Sequence, residues 1–85
     1  MNKFNLDNRT AIVTGGAQGF GLAMTERFLG SGANVIIWDY DKLAIEKTTK
    51  KLNHPKLRSV IIDVTNFDQI STEVEKITKN EKIDI

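Results

Sequence analysis

Thr14-Gly15-Gly16-Ala17-Gln18-Gly19-Phe20-Gly21 follows the short apolar run Ala11-Ile12-Val13 and opens an amphipathic segment. The spacing predicts a glycine-rich turn between a strand and a helix. Such a turn presents backbone N–H groups and a helix N-terminus to an incoming phosphate. Gly15 provides the sharp turn out of the strand. Gly19 and Gly21 carry no side chain, so a diphosphate can reach the backbone and the helix can pack close to the sheet. An ordinary glycine-containing strand–helix turn carries no ligand, so context decides. Here the turn follows the first strand and opens the first helix.

Outward from the turn, strand and helix alternate with no linker, repeat or low-complexity segment. Asp7-Asn8-Arg9 reads as a turn, with Asn8 suited to a left-handed backbone. Thr10 to Thr14 is a first strand, and its continuous apolar run fits a sheet covered on both faces. A helix from about Gly19 to Leu29 is expected to bury a stripe of Phe20, Ala23, Met24 and Phe28 and to stop at Gly30-Ser31-Gly32. Asn34 to Asp39 is a second strand. Asp41 caps a second helix with Ile45, Thr48, Thr49 and Leu52 on one face, and Asn53-His54-Pro55 breaks it. Leu57 to Ile62 is a third strand. Thr65 or Asn66 caps a third helix whose apolar positions are Phe67, Ile70, Val74 and Ile77. Lys82-Ile83-Asp84-Ile85 reads as the start of a fourth strand. The order βαβαβα plus a strand stub implies right-handed parallel crossovers and an α/β layered sheet, one half of a doubly wound fold.

Composition removes several classes of function. The formal net charge is +1, and Lys and Arg alternate with Asp and Glu, which argues against a nucleic-acid partner. Without cysteine there is neither a disulfide nor a thiolate metal site, and no metal site is expected. No run approaches the ~18 apolar residues of a membrane span. Met1 to Arg9 has no apolar leader region, so a cytoplasmic chain with no membrane partner is expected. A domain of 85 residues buries only a little over ~60% of its unfolded surface and is marginal.

Two carboxylates share the expected rim with the glycine turn. Asp39 ends the second strand, 18 residues beyond Gly21. An acidic residue about 20 residues past a dinucleotide-binding turn accepts hydrogen bonds from the adenosine ribose. A carboxylate there repels a 2′-phosphate, and Gln18 adds no positive charge to receive one, which favours NAD over NADP. The alternative is a polar turn, Asp39-Tyr40-Asp41, ending in a helix cap. Asp63 ends the third strand and can accept from an adenine amino group, with the Val64 backbone serving the ring; a plain loop aspartate is the competing reading. Tyr40 can line an adenine pocket or simply stand exposed. Trp38 reads as strand packing, His54 as a solvated loop residue, and the lysines at 47, 50, 51, 76, 79 and 82 as solvated helix faces.

Taken together, these residues resemble the N-terminal half of the short-chain dehydrogenase/reductase family. Thr14, Gly15, Gly19 and Gly21 fit that family's Thr-Gly-x-x-x-Gly-x-Gly pattern residue for residue. Asp39 matches its NAD-selecting acidic position, and Asp63-Val64 its adenine-contacting Asp-Val pair. The lead-in from Asn5 to Val13 is also similar, with Asn8 where glycine is common, and Phe20 replaces the usual isoleucine. The resemblance implies a Rossmann-type sheet, with residues 1–85 as a partial dinucleotide-binding domain that ends at the start of strand four. It implies NAD as cofactor, a small alcohol/carbonyl substrate and a homo-oligomeric parent enzyme. The implied cofactor-binding residues are Thr14, Gly15, Gln18, Gly19, Phe20, Gly21, Asp39, Tyr40, Asp63 and Val64.

The family's catalytic Tyr-x-x-x-Lys has no counterpart here, since Tyr40 is followed four positions later by Ala44. Hydride transfer in the family needs a tyrosine acid/base whose pKa a lysine depresses. No catalytic residue is therefore assigned, and the 85-residue chain is expected to be inactive alone and to bind NAD weakly or not at all. Two other classes share parts of the pattern. An S-adenosylmethionine-dependent methyltransferase also combines a glycine turn with acidic residues after the second and third strands, but it places an acidic residue where this chain has Thr14. A non-catalytic nucleotide-sensing protein on the same fold is the other. A P-loop phosphotransferase is disfavoured, because no Gly-Lys-Ser/Thr follows the glycines.

Overall fold

The computed structural model describes residues 6–79 and 81–84. Met1 to Asn5 and Ile85, which carry part of the expected lead-in and the end of the strand stub, lie outside the described residues, as does Asn80. The chain runs β1 (Thr10–Thr14), α1 (Gly19–Gly30), β2 (Asn34–Asp39), α2 (Lys42–Leu52), β3 (Leu57–Ile61) and α3 (Phe67–Thr78). The three strands are parallel and ordered β1-β2-β3, with β2 in the centre. Thr14 aligns with Trp38, and Asp39 with Ile61, so the carboxyl ends of all three strands share one rim.

Because β2 is paired on both sides and covered on both faces, it tolerates no polar alternation. Val35, Ile36, Ile37 and Trp38 are all buried, and each aliphatic side chain contributes about 1.5–3 kcal/mol by leaving water. Val35 and Ile37 face α1 and α2, packing with Val13, Leu29, Ala33 and Ile45. Ile36 and Trp38 face α3 and pack with Ile62 and Ile77. One sheet between helices on opposite faces is the doubly wound arrangement that the alternating pattern implies.

The element ends follow local chemistry. Asn8 stands at φ 64° in the turn before β1, and Asn53 closes α2 at φ 41°. Gly32 follows α1 at φ 94°, where a Cβ would also collide with the Asp7 carboxylate. Asp41 and Asn66 cap α2 and α3 by accepting from the N–H groups of Ala44 and Gln69.

Four details depart from the sequence expectation. The stripe on α1 is rotated: Thr25 and Leu29 are buried, Met24 and Phe28 only partly so, and Phe20 is 83% exposed. Gly21 sets this phase, since Gly21, Thr25 and Leu29 lie four apart along the face that meets the sheet. Phe67, the first residue of α3, is 80% exposed and stands outside the cluster in which Ile70, Val74 and Ile77 pack with Ile36, Trp38 and Ile62. β3 ends at Ile61, although the Ile62 N–H still donates to the Asp39 carbonyl at 3.0 Å. Residues 82–84 form no strand: the Asp84 N–H donates to the Thr10 carbonyl at 2.9 Å, but the Thr10 N–H donates to Asp84 Oδ2 at 3.1 Å. A side chain there takes the donor that a ladder would use.

At the amino ends of the strands, the Thr10 hydroxyl donates to Glu81 Oε2 at 2.7 Å and Arg58 pairs with Glu81 Oε1 at 2.6 Å. The Thr10 hydrogen bond, helped by the hydrogen bond and charge of Arg58, outweighs desolvation and holds Glu81 below its ordinary value of 4.5. A depressed carboxylate stabilises the fold fully above its ordinary value, and that contribution is lost as pH falls through the folded one. Glu81→Gln should therefore lower the urea midpoint at neutral pH, by about 1 kcal/mol of stability, and flatten the acid limb of the stability curve. An unchanged acid limb would show that Glu81 does not link strand and pH.

Candidate functional site

The turn after β1 is built almost wholly from backbone. Gly15, at φ 65°, donates its N–H to the Trp38 carbonyl at 2.7 Å, which carries the β1–β2 ladder one step past the strand. At Gly21 a Cβ would drive into the Gly15 carbonyl, and at Gly16 it would lie 2.9 Å from both Ile37 Cγ2 and the Val13 carbonyl oxygen. These two positions let α1 start directly against the turn. Gly19 stands at φ 55° at the head of the helix.

Two threonines fix the turn's carbonyls. Buried Thr25 donates through Oγ1 to the Gly16 carbonyl at 3.2 Å and to the Gly21 carbonyl at 3.0 Å. Thr48, on α2, donates to the Ala17 carbonyl at 2.6 Å. Neither role was read from the sequence. The available signal was a threonine on the apolar face of each helix, where a hydroxyl needs a partner.

Asp39 comes to the same place from the end of β2. It is only 4% exposed, and its carboxylate bridges backbone donors: Ala17 N–H to Oδ2 at a long 3.4 Å and Asp41 N–H to Oδ1 at 3.1 Å. It thus ties the glycine turn to the β2–α2 turn. Gln18 spans the same gap, with Nε2 3.5 Å from Asp41 Oδ2. Thr14 is exposed at the end of β1, and Tyr40 is exposed beside Asp39.

Asp63 and Val64 lie past β3 on the rim, and both are exposed. Asp63 Oδ1 accepts from the Thr65 hydroxyl at 2.6 Å and the Thr65 N–H at 2.9 Å. These two bonds, the hydroxyl's first, hold its carboxyl below the ordinary aspartate range. The structure therefore brings Gln18, Asp39 and Asp41 into contact around the glycine turn, while Asp63 shares the rim, its carboxylate bonding to Thr65 in its own turn and its N–H donating to Gln69 Oε1 on α3 at 3.2 Å. His54 faces away, its Nδ1 accepting from the Lys56 N–H at 3.1 Å.

The N-terminus of α1 differs from the other two. Gln18 precedes the helix in extended conformation and makes no side-chain cap bond. α2 and α3 each have a side-chain cap. The free N–H groups and positive end of the helix dipole on α1 consequently face the rim with no side-chain cap among the described residues. Two grooves, of about 440 Å³ between β3 and α3 and about 530 Å³ near Leu29 and His54, include no residue of the glycine turn. Among the described residues there is no metal-ligand cluster, and no helix is long and apolar enough to cross a membrane.

Comparison with known proteins agrees with this fold. The sequence profile described as short chain dehydrogenase matches residues 9–85. The chain is 42% identical over 71 residues to the short chain dehydrogenase/reductase dpchG of Colletotrichum higginsianum, covering 81% of this chain and 26% of that protein. It superposes on the crystal structure of gox2181 with a TM-score of 0.84 and 41% identity, over 96% of this chain and 33% of that one. It is also similar to the 3-ketoacyl-(acyl-carrier-protein) reductase of Brucella melitensis complexed with NADH, with a TM-score of 0.83 and 31% identity, covering 94% and 33% of the two chains. The chain thus spans about a quarter to a third of the length of these relatives.

The glycine turn itself is open to a direct check. Gly21→Ala should cost about 1–3 kcal/mol, because the added methyl forces α1 off the turn. Gly30→Ala, with nothing within 4 Å of the new Cβ, should be neutral or stabilise by up to ~1 kcal/mol. Equal urea midpoints for the two variants would contradict the close approach.

Proposed function

The chain belongs to the short-chain dehydrogenase family, and we propose that it holds the adenosine and diphosphate portion of NAD for an oxidoreductase acting on an alcohol/carbonyl pair. The family match displaces the methyltransferase alternative. One observation carries the proposal: α1 is uncapped and faces the same rim as Asp39. The residues fit a dinucleotide. Gly15, Gln18, Gly19 and Gly21 offer backbone to a diphosphate with no side chain in the way at the glycines. Phe20 stands exposed at the first turn, and Thr14 closes the strand end. Asp39 and Tyr40 receive the ribose, and Asp63 and Val64 the adenine.

When bound, the nicotinamide cofactor supplies or accepts a hydride. This chain's residues bind and orient; none is assigned a proton-transfer role. The negative charge of Asp39 is the reason for naming NAD rather than its 2′-phosphorylated counterpart, because like charges at short range repel. Asp39 has its oxygens on backbone N–H groups, so it supports the turn as well as facing the ribose.

Titration of the isotope-labelled chain with ADP-ribose, followed by amide chemical shifts, tests this reading even for weak binding. The amides of Gly15, Gln18 to Gly21, Asp39, Tyr40, Asp63 and Val64 should move. Asp39→Asn should weaken binding about fivefold, as a charged acceptor becomes neutral. Shifts centred instead on Arg58 and Lys76, or an Asp39→Asn variant that binds as tightly as the parent, would overturn the assignment.

A further inference from the structure

We propose that Thr48, on α2, is a positioning residue for the bound nucleotide: by holding the Ala17 carbonyl it aims the Gln18 N–H at the ligand. This role rests on the reading of the rim as a nicotinamide-nucleotide site. It extends that site to a helix that lies outside both the glycine turn and the rim carboxylates.

In a trans peptide unit the C=O and the following N–H point in opposite directions, so fixing one aims the other. No cis unit occurs among the described residues. Three successive units lead from the turn into α1, and each is held differently. Between Gly16 and Ala17, the Gly16 carbonyl accepts from Thr25 Oγ1 at 3.2 Å and the Ala17 N–H points at Asp39 Oδ2, 3.4 Å away. Both ends of that unit are answered and Ala17 is buried, so it offers a ligand nothing. Between Gln18 and Gly19, the Gln18 carbonyl accepts from the Leu22 N–H at 3.2 Å. The first turn of the helix thereby sends the Gly19 N–H outward.

The middle unit joins Ala17 to Gln18. Its carbonyl accepts from Thr48 Oγ1 at 2.6 Å, across 31 residues of sequence, and Thr48 is only 4% exposed. Its N–H belongs to exposed Gln18 and has no acceptor among the described residues. No other hydrogen bond among them fixes this unit. The Gln18 N–H therefore points away from α2 and stands next to the Gly19 N–H as a second open donor. The Thr48 bond also polarises the unit, which strengthens its N–H as a donor. Without the hydroxyl, the buried carbonyl has to turn toward water to be satisfied, and the N–H turns with it.

A threonine that merely fastened α2 to the turn would affect stability alone. Thr49 supplies the comparison, because its hydroxyl bonds back to the Ile45 and Glu46 carbonyls within α2 and touches no part of the turn.

Titration of the labelled chain with ADP-ribose, followed by amide shifts, separates the two roles. In the parent chain the Gln18 amide should move with that of Gly19, and the Ala17 amide, directed at Asp39, should move less. Thr48→Val removes the hydroxyl at nearly constant shape and should weaken binding about fivefold, with the Gln18 shift reduced most. Thr48→Ser restores a donor and should bind within about twofold of the parent. Thr49→Val should bind as the parent does, even where its urea midpoint falls. Parent-like binding by Thr48→Val, or equal losses in Thr48→Val and Thr49→Val, overturns the role of Thr48 and leaves the cofactor reading standing. So does a Gln18 amide that stays still in the parent while Gly19 to Gly21 respond, an outcome that needs no variant to fold. A parent chain whose glycine-turn amides do not respond at all overturns the cofactor reading and this inference with it.

Discussion

The approach of α1 to the backbone of the turn after β1 governs the rest of the molecule. With a hydrogen in place of a side chain at Gly21, the helix starts in contact with the Gly15 carbonyl. The helix phase follows, because the face that carries Gly21 also carries Thr25 and Leu29. Thr25 is then placed to hold the turn's carbonyls, and Leu29 to reach the core beneath β2. The same geometry leaves the helix N-terminus open at the rim. One glycine thus links packing to the chemistry the rim can support.

The two ends of the sheet divide the work. At the amino ends, charged groups hold strands together: Glu81 bridges Thr10 and Arg58, and Asp84 takes the Thr10 N–H. At the carboxyl ends, carboxylates hold turns instead of strands. Asp39 ties the glycine turn to the β2–α2 turn, and Asp63 orders its own turn ahead of α3. Parallel strands place all such turns on one edge, which is why ligands gather there in open α/β sheets. The central strand supplies the rigidity behind them. Trp38 lies buried on the α3 face, and its indole Nε1 has no partner among the described residues.

Much of this was legible in the sequence, for identifiable reasons. Strand and helix alternation, the caps Asp41 and Asn66, and the left-handed Asn8 follow from local preferences that neighbouring elements do not override. The position of Asp39 at the end of β2 was equally plain. Its inward turn was not, because burial and bonding to Ala17 depend on how closely two turns meet. The exposure of Phe20 and Phe67 departs from helical periodicity for a related reason. Helical periodicity shows which residues share a face, but not where the sheet beneath that face ends. Thr25 and Thr48 belong to the same class, since a hydroxyl's partner across 31 residues, as for Thr48 and Ala17, leaves no local trace.

The open N-terminus of α1 is the feature most directly within reach of measurement. Inorganic pyrophosphate added to the labelled chain should shift the amides of Gly19, Phe20 and Gly21. The Ala44 and Gln69 amides, already bonded to Asp41 and Asn66, should stay in place. Equal movement at all three helix starts, or none at α1, would contradict an anion site made by the glycine turn.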